Sequence, residues 1–377
     1  MSARVFFYVQ HLLGIGHLRR AALIARAMRQ SGLDVDFISG GVHVANLDLA
    51  GARFLQLPSA VSADSGFSAL LDATGRPIDD NWRARRRQIL LDAFAVATPD
   101  LLLIEMFPFG RRAFAFELLP LIDAARAGGV PVAVSLRDIL VAKSDRKRDQ
   151  AIVALVRERI DLVLVHGDPA LLRLEASFPA AGQIADKLAY TGYVAQSRPG
   201  SAEAAEGDEI LVSAGGGAVG GPLLQAALAA RPATRAAGFH WRFITGPNLP
   251  ENEFAGLASR LPAGVTLERF RDDFPSLLAR CRLSVSQAGY NTVMDILAAG
   301  ARALVIPFAE AGEGEQSERA RLLSARGLIG LMEPPAEAGR LASAIDAALD
   351  RPRPASSGID LGGAGATARQ ILALLDR

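Results

Sequence analysis

Short, unbroken apolar runs recur along this chain, each separated from the next by a stretch with helical periodicity. Val5–Val9 leads through a glycine turn into a helix over 18–30, then Val35–Ile38. Leu101–Ile104, Val130–Val134 and Leu162–Val165 continue the series. A run that is apolar on successive residues must be covered on both faces of its sheet, so the alternation predicts parallel sheets between layers of helices. The pattern stops at Ser197–Asp208, which is rich in Pro, Gly, Ser and acid and reads as a linker. It then restarts with Ile210–Val212, a glycine-rich turn over 213–221 and a helix carrying Pro222 in its first turn. Strands at His240–Thr245, Val265–Glu268, Leu283–Ser286 and Ala303–Ile306 follow.

Two strand–glycine-turn–helix openings therefore predict an α/β chain of two Rossmann-like domains whose parallel sheets face across a cleft. The boundaries fall at 1–196 for the first domain, 197–208 for the linker and 209–350 for the second domain. Residues 351–377 form a tail whose helix, Ala364–Leu375, is expected to pack back on the first domain.

Composition narrows the function. The 377 residues are 50% hydrophobic, enough for two large cores, and the formal net charge of +1 is far from that of a nucleic-acid binder. Cys281 is the sole cysteine, which excludes an intramolecular disulfide and a cysteine zinc cluster. The N-terminus lacks the charge and apolar layout of a secretion signal, and no apolar run reaches the roughly 20 residues that span a bilayer. A cytoplasmic protein is expected, with peripheral contact at the inner face of the membrane left open. Arg83, Arg85, Arg86 and Arg87 read as a solvated face, with docking on anionic lipid as the alternative.

Four stretches have the residue types that chemistry needs. Gly14-Ile15-Gly16-His17 ends the first strand; its glycines admit a ligand close to the backbone, the next helix favours an anion, and His17 is a general-base candidate. His11, His43, His166 and His240 read as structural. Gly215, Gly216, Gly217 and Ala218 form a turn whose amides suit a diphosphate. That turn spells GxGxxG, but no acid lies at the end of the next strand, so an NAD site is disfavoured. Ser286, Gln287, Ala288 and Gly289 lead into a helix expected to begin near Asn291, with Thr292 and Asp295 in its first turns. Phosphate suits that helix start, and Asp295 suits ribose hydroxyls. Glu315 and Gln316 lie in a loop expected to be flexible, placed to meet sugar hydroxyls. Glu105, Arg111 and Arg137 fall near the ends of first-domain strands and are acceptor-binding candidates.

Together these residues resemble the GT-B glycosyltransferases, above all the inverting group around the peptidoglycan-precursor N-acetylglucosaminyltransferase, and overall a set of bacterial predicted glycosyltransferases. The likeness rests on Ser286, Gly289, Thr292 and Asp295, on Ala299-Gly300 through Pro307, on Glu315-Gln316, and on Gly14–His17 in the first half. Asp295 stands where the group usually has glutamate. The resemblance implies a UDP-sugar co-substrate held against 215–218 and 286–289, a nucleobase loop at Phe270-Arg271-Asp272, and His17 as base. No metal is expected, and the acceptor, which the resemblance does not carry over, is a small molecule, a lipid-linked molecule or a glycan. Asp34-Val35-Asp36 mimics a metal signature but opens a strand, away from the predicted site, and the Glu310/Glu318 spacing of retaining enzymes falls outside the donor helix, so inversion is expected. Gly14–Arg20 also resembles the opening of a nucleotide-sugar hydrolase of pseudaminic acid synthesis, in which the histidine activates water. A non-catalytic nucleotide-sugar binder is the third reading.

Overall fold

The computed structural model describes residues 2–12, 14–45, 47–62, 69–140, 145–196, 207–215, 219–308, 314–354 and 357–376. The chain divides into two compact units, 1–194 with 359–377 and 195–358.

The first unit holds strands β1 (Arg4–Val9), β2 (Asp34–Ser39), β3 (Arg53–Gln56), β4 (Ala60–Ser62), β5 (Leu70–Asp72), β6 (Leu101–Glu105), β7 (Val132–Arg137), β8 (Leu162–His166) and β9 (Leu188–Tyr190). Its helices are α1 (Gly16–Gln30), α2 (Asp80–Ala97), α3 (Ala115–Ala127) and α4 (Arg146–Arg159). Seven strands form one parallel sheet in the order β3-β2-β1-β6-β7-β8-β9, and β4 and β5 pair as a small hairpin. Alternate residues of each central strand feed opposite cores. Phe6, Tyr8, Leu102 and Ile104 pack with α2, α3 and α4, while Val5, Phe7, Val9, Leu101 and Leu103 pack with α1. Burial on both faces is the reason these strands read as continuous apolar runs.

The second unit holds β10 (Glu209–Ser213), β11 (His240–Ile244), β12 (Val265–Glu268), β13 (Leu283–Ser286), β14 (Ala303–Val305) and β15 (Gly330–Leu331). Its helices are α5 (Gly221–Ala230), α6 (Glu251–Ala258), α7 (Phe274–Arg280), α8 (Tyr290–Ala299), α9 (Glu315–Ala325) and α10 (Ala338–Leu349). The sheet is parallel, in the order β12-β11-β10-β13-β14-β15. Trp241 sits wholly inside the core and donates its indole N–H to the Ala236 carbonyl at 2.9 Å.

The last helix, α11 (Gly363–Leu375), belongs to the first unit. Ala364, Ala368, Ile371, Leu372 and Leu375 form the stripe that joins the core shared with α1. Gly363 allows the entry: a Cβ there would lie 2.4 Å from the Gly192 carbonyl oxygen, and its amide donates to Tyr193 O at 3.0 Å.

Several boundaries differ from expectation. The run at 130–134 is displaced to Val132–Arg137, because Val130 closes the turn after α3 by donating to Ala125 O and Pro131 has no amide to give the ladder. Ser135 and Arg137 therefore lie within β7. Helix α1 begins at Gly16, two residues earlier than the expected Leu18, so His17 stands in its first turn. Glu315 and Gln316 open α9 and are not part of a loop. Arg86 is not on a solvated face: it is fully buried, whereas Arg85 and Arg87 on the same helix are exposed.

Candidate functional site

In each sheet the chain leaves two neighbouring strands in opposite directions, β1 and β6 in the first unit and β10 and β13 in the second. Divergence of that kind opens a crevice at the carboxyl ends of the strands, the place where parallel α/β sheets bind ligands.

In the first unit His17 and Glu105 meet there. His17 follows β1 in the opening turn of α1, and Glu105 is the last residue of β6. His17 Nδ1 lies 2.5 Å from Glu105 Oε1, and Arg20, one turn along α1, places Nη2 2.6 Å from the same oxygen. Burial works against the Glu105 charge, but His17, Arg20 and Arg111 outweigh it and hold the carboxyl down at about 2. Burial, with the charges of Arg111 and Arg20 added and Glu105 opposing, lowers His17 to about 4. At neutral pH the imidazole is therefore uncharged. Its Nδ1–H donates to an ionised carboxylate, and Nε2 keeps its lone pair. This is the arrangement of an oriented base: the carboxylate fixes the tautomer and would stabilise the imidazolium formed on proton transfer. Glu105, read from sequence as an acceptor contact, has no exposed side-chain surface, and its Oε1 is engaged by His17 and Arg20.

Below this pair runs a second buried polar chain. Ser135 Oγ lies 2.7 Å from His166 Nε2, and His166 Nδ1 lies 2.9 Å from Thr191 Oγ1. Burial and the nearby Arg20 charge lower His166 to about 3. Both histidines are neutral when folded and ordinary when unfolded, so the unfolded chain binds more protons below pH 6.5. Their contribution to stability is complete above the unfolded value and is lost as pH falls towards their folded values. Urea midpoints of the full chain are expected to hold near neutrality and fall steadily from pH 6.5 to 4, and less so in His166→Gln. Midpoints unchanged across that window would contradict the buried neutral state.

The turn after β6 is conformationally costly. Met106 and Arg111, neither of them glycine, have φ of 68° and 57°, and left-handed backbone costs a side-chain-bearing residue roughly 1–2 kcal/mol. The surroundings hold the turn in place: Gly110 N donates to Met106 O at 2.8 Å, Phe107 and Phe109 are buried, and Arg111 Nε donates to Gln10 O at 2.7 Å. Strain kept up by surrounding packing is characteristic of functional turns. Arg137 ends β7 and bears on Arg111 as a like charge. Gly14 lies in the connection before α1 and Gly16 is its first residue.

In the second unit Ser213 and Ser286 are register neighbours at the ends of β10 and β13. Both are buried, and neither hydroxyl has a hydrogen-bond partner among the described residues. The two following turns adjoin. Gly215, at φ 72°, stands where an added Cβ would be 3.7 Å from Thr292 Oγ1, and Gln287 Nε2 donates to Val219 O at 3.3 Å. Gly216, Gly217 and Ala218 lie outside the described residues, as does Glu310. Helix α8 begins at Tyr290 behind Gly289, with no side-chain cap and no acid in its first turn; Asn291 and Thr292 are in that turn and Asp295 is in the next. Helix α5 likewise begins uncapped. Amide groups at such helix starts favour an anion.

Other donor candidates are also placed. Phe270 is 48% exposed beyond β12, and Arg271 makes a two-pronged pair with Asp273 at 2.8 and 2.9 Å. Gln316 accepts from Phe308 N at 3.1 Å. Ala288 is buried, and its carbonyl accepts from Arg319 at 3.4 Å. Arg319 is fully buried, with its guanidinium 5.4 Å from the Tyr290 ring centroid. Sequence reasoning passed over Arg319 and gave Arg20, quoted within Gly14–Arg20, no role of its own. Arg20 was legible, since a helical i,i+3 spacing sets it beside His17; nothing local marks Arg319. Asp34 and Asp36 are engaged by Arg29 and Arg53.

Residues 211–356 match the family model described as the glycosyltransferase family 28 C-terminal domain. The calicheamicin glycosyltransferase superposes with a TM-score of 0.66 at 18% identity, over 100% of this chain and 99% of that one. MurG of Acinetobacter baumannii superposes with a TM-score of 0.59 at 16% identity, over 99% of each chain.

The chain has the GT-B fold.

Within that fold it resembles the MurG group. The UDP-N-acetylglucosamine--N-acetylmuramyl-(pentapeptide) pyrophosphoryl-undecaprenol N-acetylglucosamine transferase of Rhodospirillum centenum is 36% identical over 90 residues. That match spans 24% of this chain and 24% of the relative, about a quarter of its length. Among the described residues of this GT-B chain, no helix is long and apolar enough to cross a membrane.

Proposed function

We propose that the protein is an inverting glycosyltransferase that moves a sugar from a UDP-sugar to an acceptor hydroxyl, with His17 as general base. The observation that carries the reading is the His17–Glu105 pair: a neutral imidazole, oriented by a buried carboxylate, with Nε2 left to take a proton. The diphosphate is assigned to the second unit, at the adjoining turns after β10 and β13, where the Ser213 and Ser286 hydroxyls and the starts of α5 and α8 offer donors to developing charge. That charge is met by backbone and hydroxyl donors, so the proposed reaction needs no metal. Uridine, and an acceptor carried on a lipid pyrophosphate, are supported by the name of the Rhodospirillum relative. The undecaprenol in that name supports a lipid-borne acceptor, and we infer a cytoplasmic enzyme that works against the inner face of the membrane.

Thermal stabilisation of the full chain by a panel of nucleotides and nucleotide sugars tests the donor assignment, because a ligand of the folded state raises its stability. UDP and at least one UDP-sugar are expected to raise the melting temperature. Ser286→Ala is expected to weaken UDP about tenfold, the scale of a hydrogen bond to a charged group. A panel in which no nucleotide stabilises the protein would sink the reading. UDP release that requires an alcohol acceptor marks a transferase, and equal release in water alone marks a hydrolase with His17 activating water.

A further inference from the structure

The positive charge around the His17–Glu105 pair exceeds what one carboxylate balances. Arg20 is spent on Glu105. Arg111 is not: its Nε is anchored on the Gln10 carbonyl, and its two Nη groups make no hydrogen bond or ion pair among the described residues. Glu105 and Tyr8 attract its charge, and Arg137 and Arg20 repel it. The strained turn from Met106 to Arg111, clamped by Phe107 and Phe109, fixes where this half-buried guanidinium points. A half-buried guanidinium held in one geometry, with its fork unengaged and further positive charge beside it, is suited to meet an anion in two-pronged fashion.

We propose that the acceptor carries an anionic group, a carboxylate or a phosphate, and that Arg111 binds it through its two Nη groups beside the hydroxyl that His17 deprotonates. Arg111 is then the residue that sets acceptor class. Arg137 adds a like charge beside it. This rests on the transferase reading for its meaning, but the site lies within the first unit and can be tested without an acceptor in hand.

The full chain, labelled with nitrogen-15 in its histidines and saturated with UDP to occupy the donor site, is titrated with inorganic phosphate at constant ionic strength and pH 7. The His17 ring resonances are assigned by their loss in His17→Asn. A saturable shift is expected in the wild type, weakened about tenfold or more in Arg111→Gln, as for loss of a hydrogen bond to a charged group. Arg111→Lys should retain part of the affinity, and Arg137→Gln should weaken it less. No saturable shift with either phosphate or acetate in the wild type overturns the proposal, as does equal affinity of the saturating anion in Arg111→Gln. Should that variant not fold, wild-type affinity in Arg111→Lys overturns it too. An acetate arm separates the two anions: saturation by acetate alone assigns a carboxylate and saturation by phosphate alone a phosphate. Failure of UDP to bind sinks the nucleotide-sugar reading and leaves the anion result standing.

Discussion

His17→Ala is expected to lower kcat by about 10²–10⁴-fold, the range for removal of a positioned general base, and to leave UDP affinity within about twofold because the base acts only in the transition state. The two halves of the prediction come from different units. The imidazole stands on α1 of the first, and the proposed diphosphate turns stand in the second. Single-turnover rates and UDP calorimetry read them separately. The pH profile adds a second check. With His17 lowered to about 4 in the folded protein, the base is deprotonated throughout the neutral range, so kcat/KM should be flat from about pH 5 to 8. A variant with near-normal kcat, or an acid limb between pH 6 and 7, would remove His17 from the proton transfer.

The largest effect on stability is expected from Arg86→Met. Arg86 and Glu117 are fully buried, with Nε to Oε2 at 2.8 Å. Tyr8 donates to Glu117 at 2.5 Å, and Arg86 reaches Gln10 Oε1 at 2.6 Å and the Gly40 carbonyl at 2.9 Å. Removing the cation leaves the Glu117 carboxylate in the core without its opposite charge, held by the Tyr8 hydroxyl, which costs about 3–5 kcal/mol. Replacing both partners by apolar residues of similar volume should recover much of the loss, since a buried pair gains little over good packing. Urea unfolding of the single and double variants measures this. The UDP-dependent stabilisation of the second unit should persist in both. A loss under about 1 kcal/mol in the single variant would mean that Glu117 finds another partner or takes up a proton.

This buried network also shows how far local sequence reaches. Four arginines in five residues read as a solvated face, because a basic run on a helix usually is one. The structure turns one of them inward, and only because Glu117, Tyr8 and Gln10, all distant in sequence, converge on the same point. Glu105 shows the same dependence. It follows an apolar run and reads as a crevice residue, but its role depends on Arg20 and His17 arriving from α1.

The parallel sheets, the placement of His17 and Gly215 after strand ends and that of Ser286 as the last residue of its strand were fixed by apolar periodicity and glycine turns, because burial on both faces and tight turns constrain residue types locally. The short strands β3, β9 and β15 were not legible, since edge pairing rather than composition makes them. The opening turn of α9 was misread as a loop, because acidic and glycine-rich residues hide the helix start. What only the tertiary structure decided is which charges meet. Pairing energies depend on burial and on partners brought in from remote elements, and no window of the chain contains both.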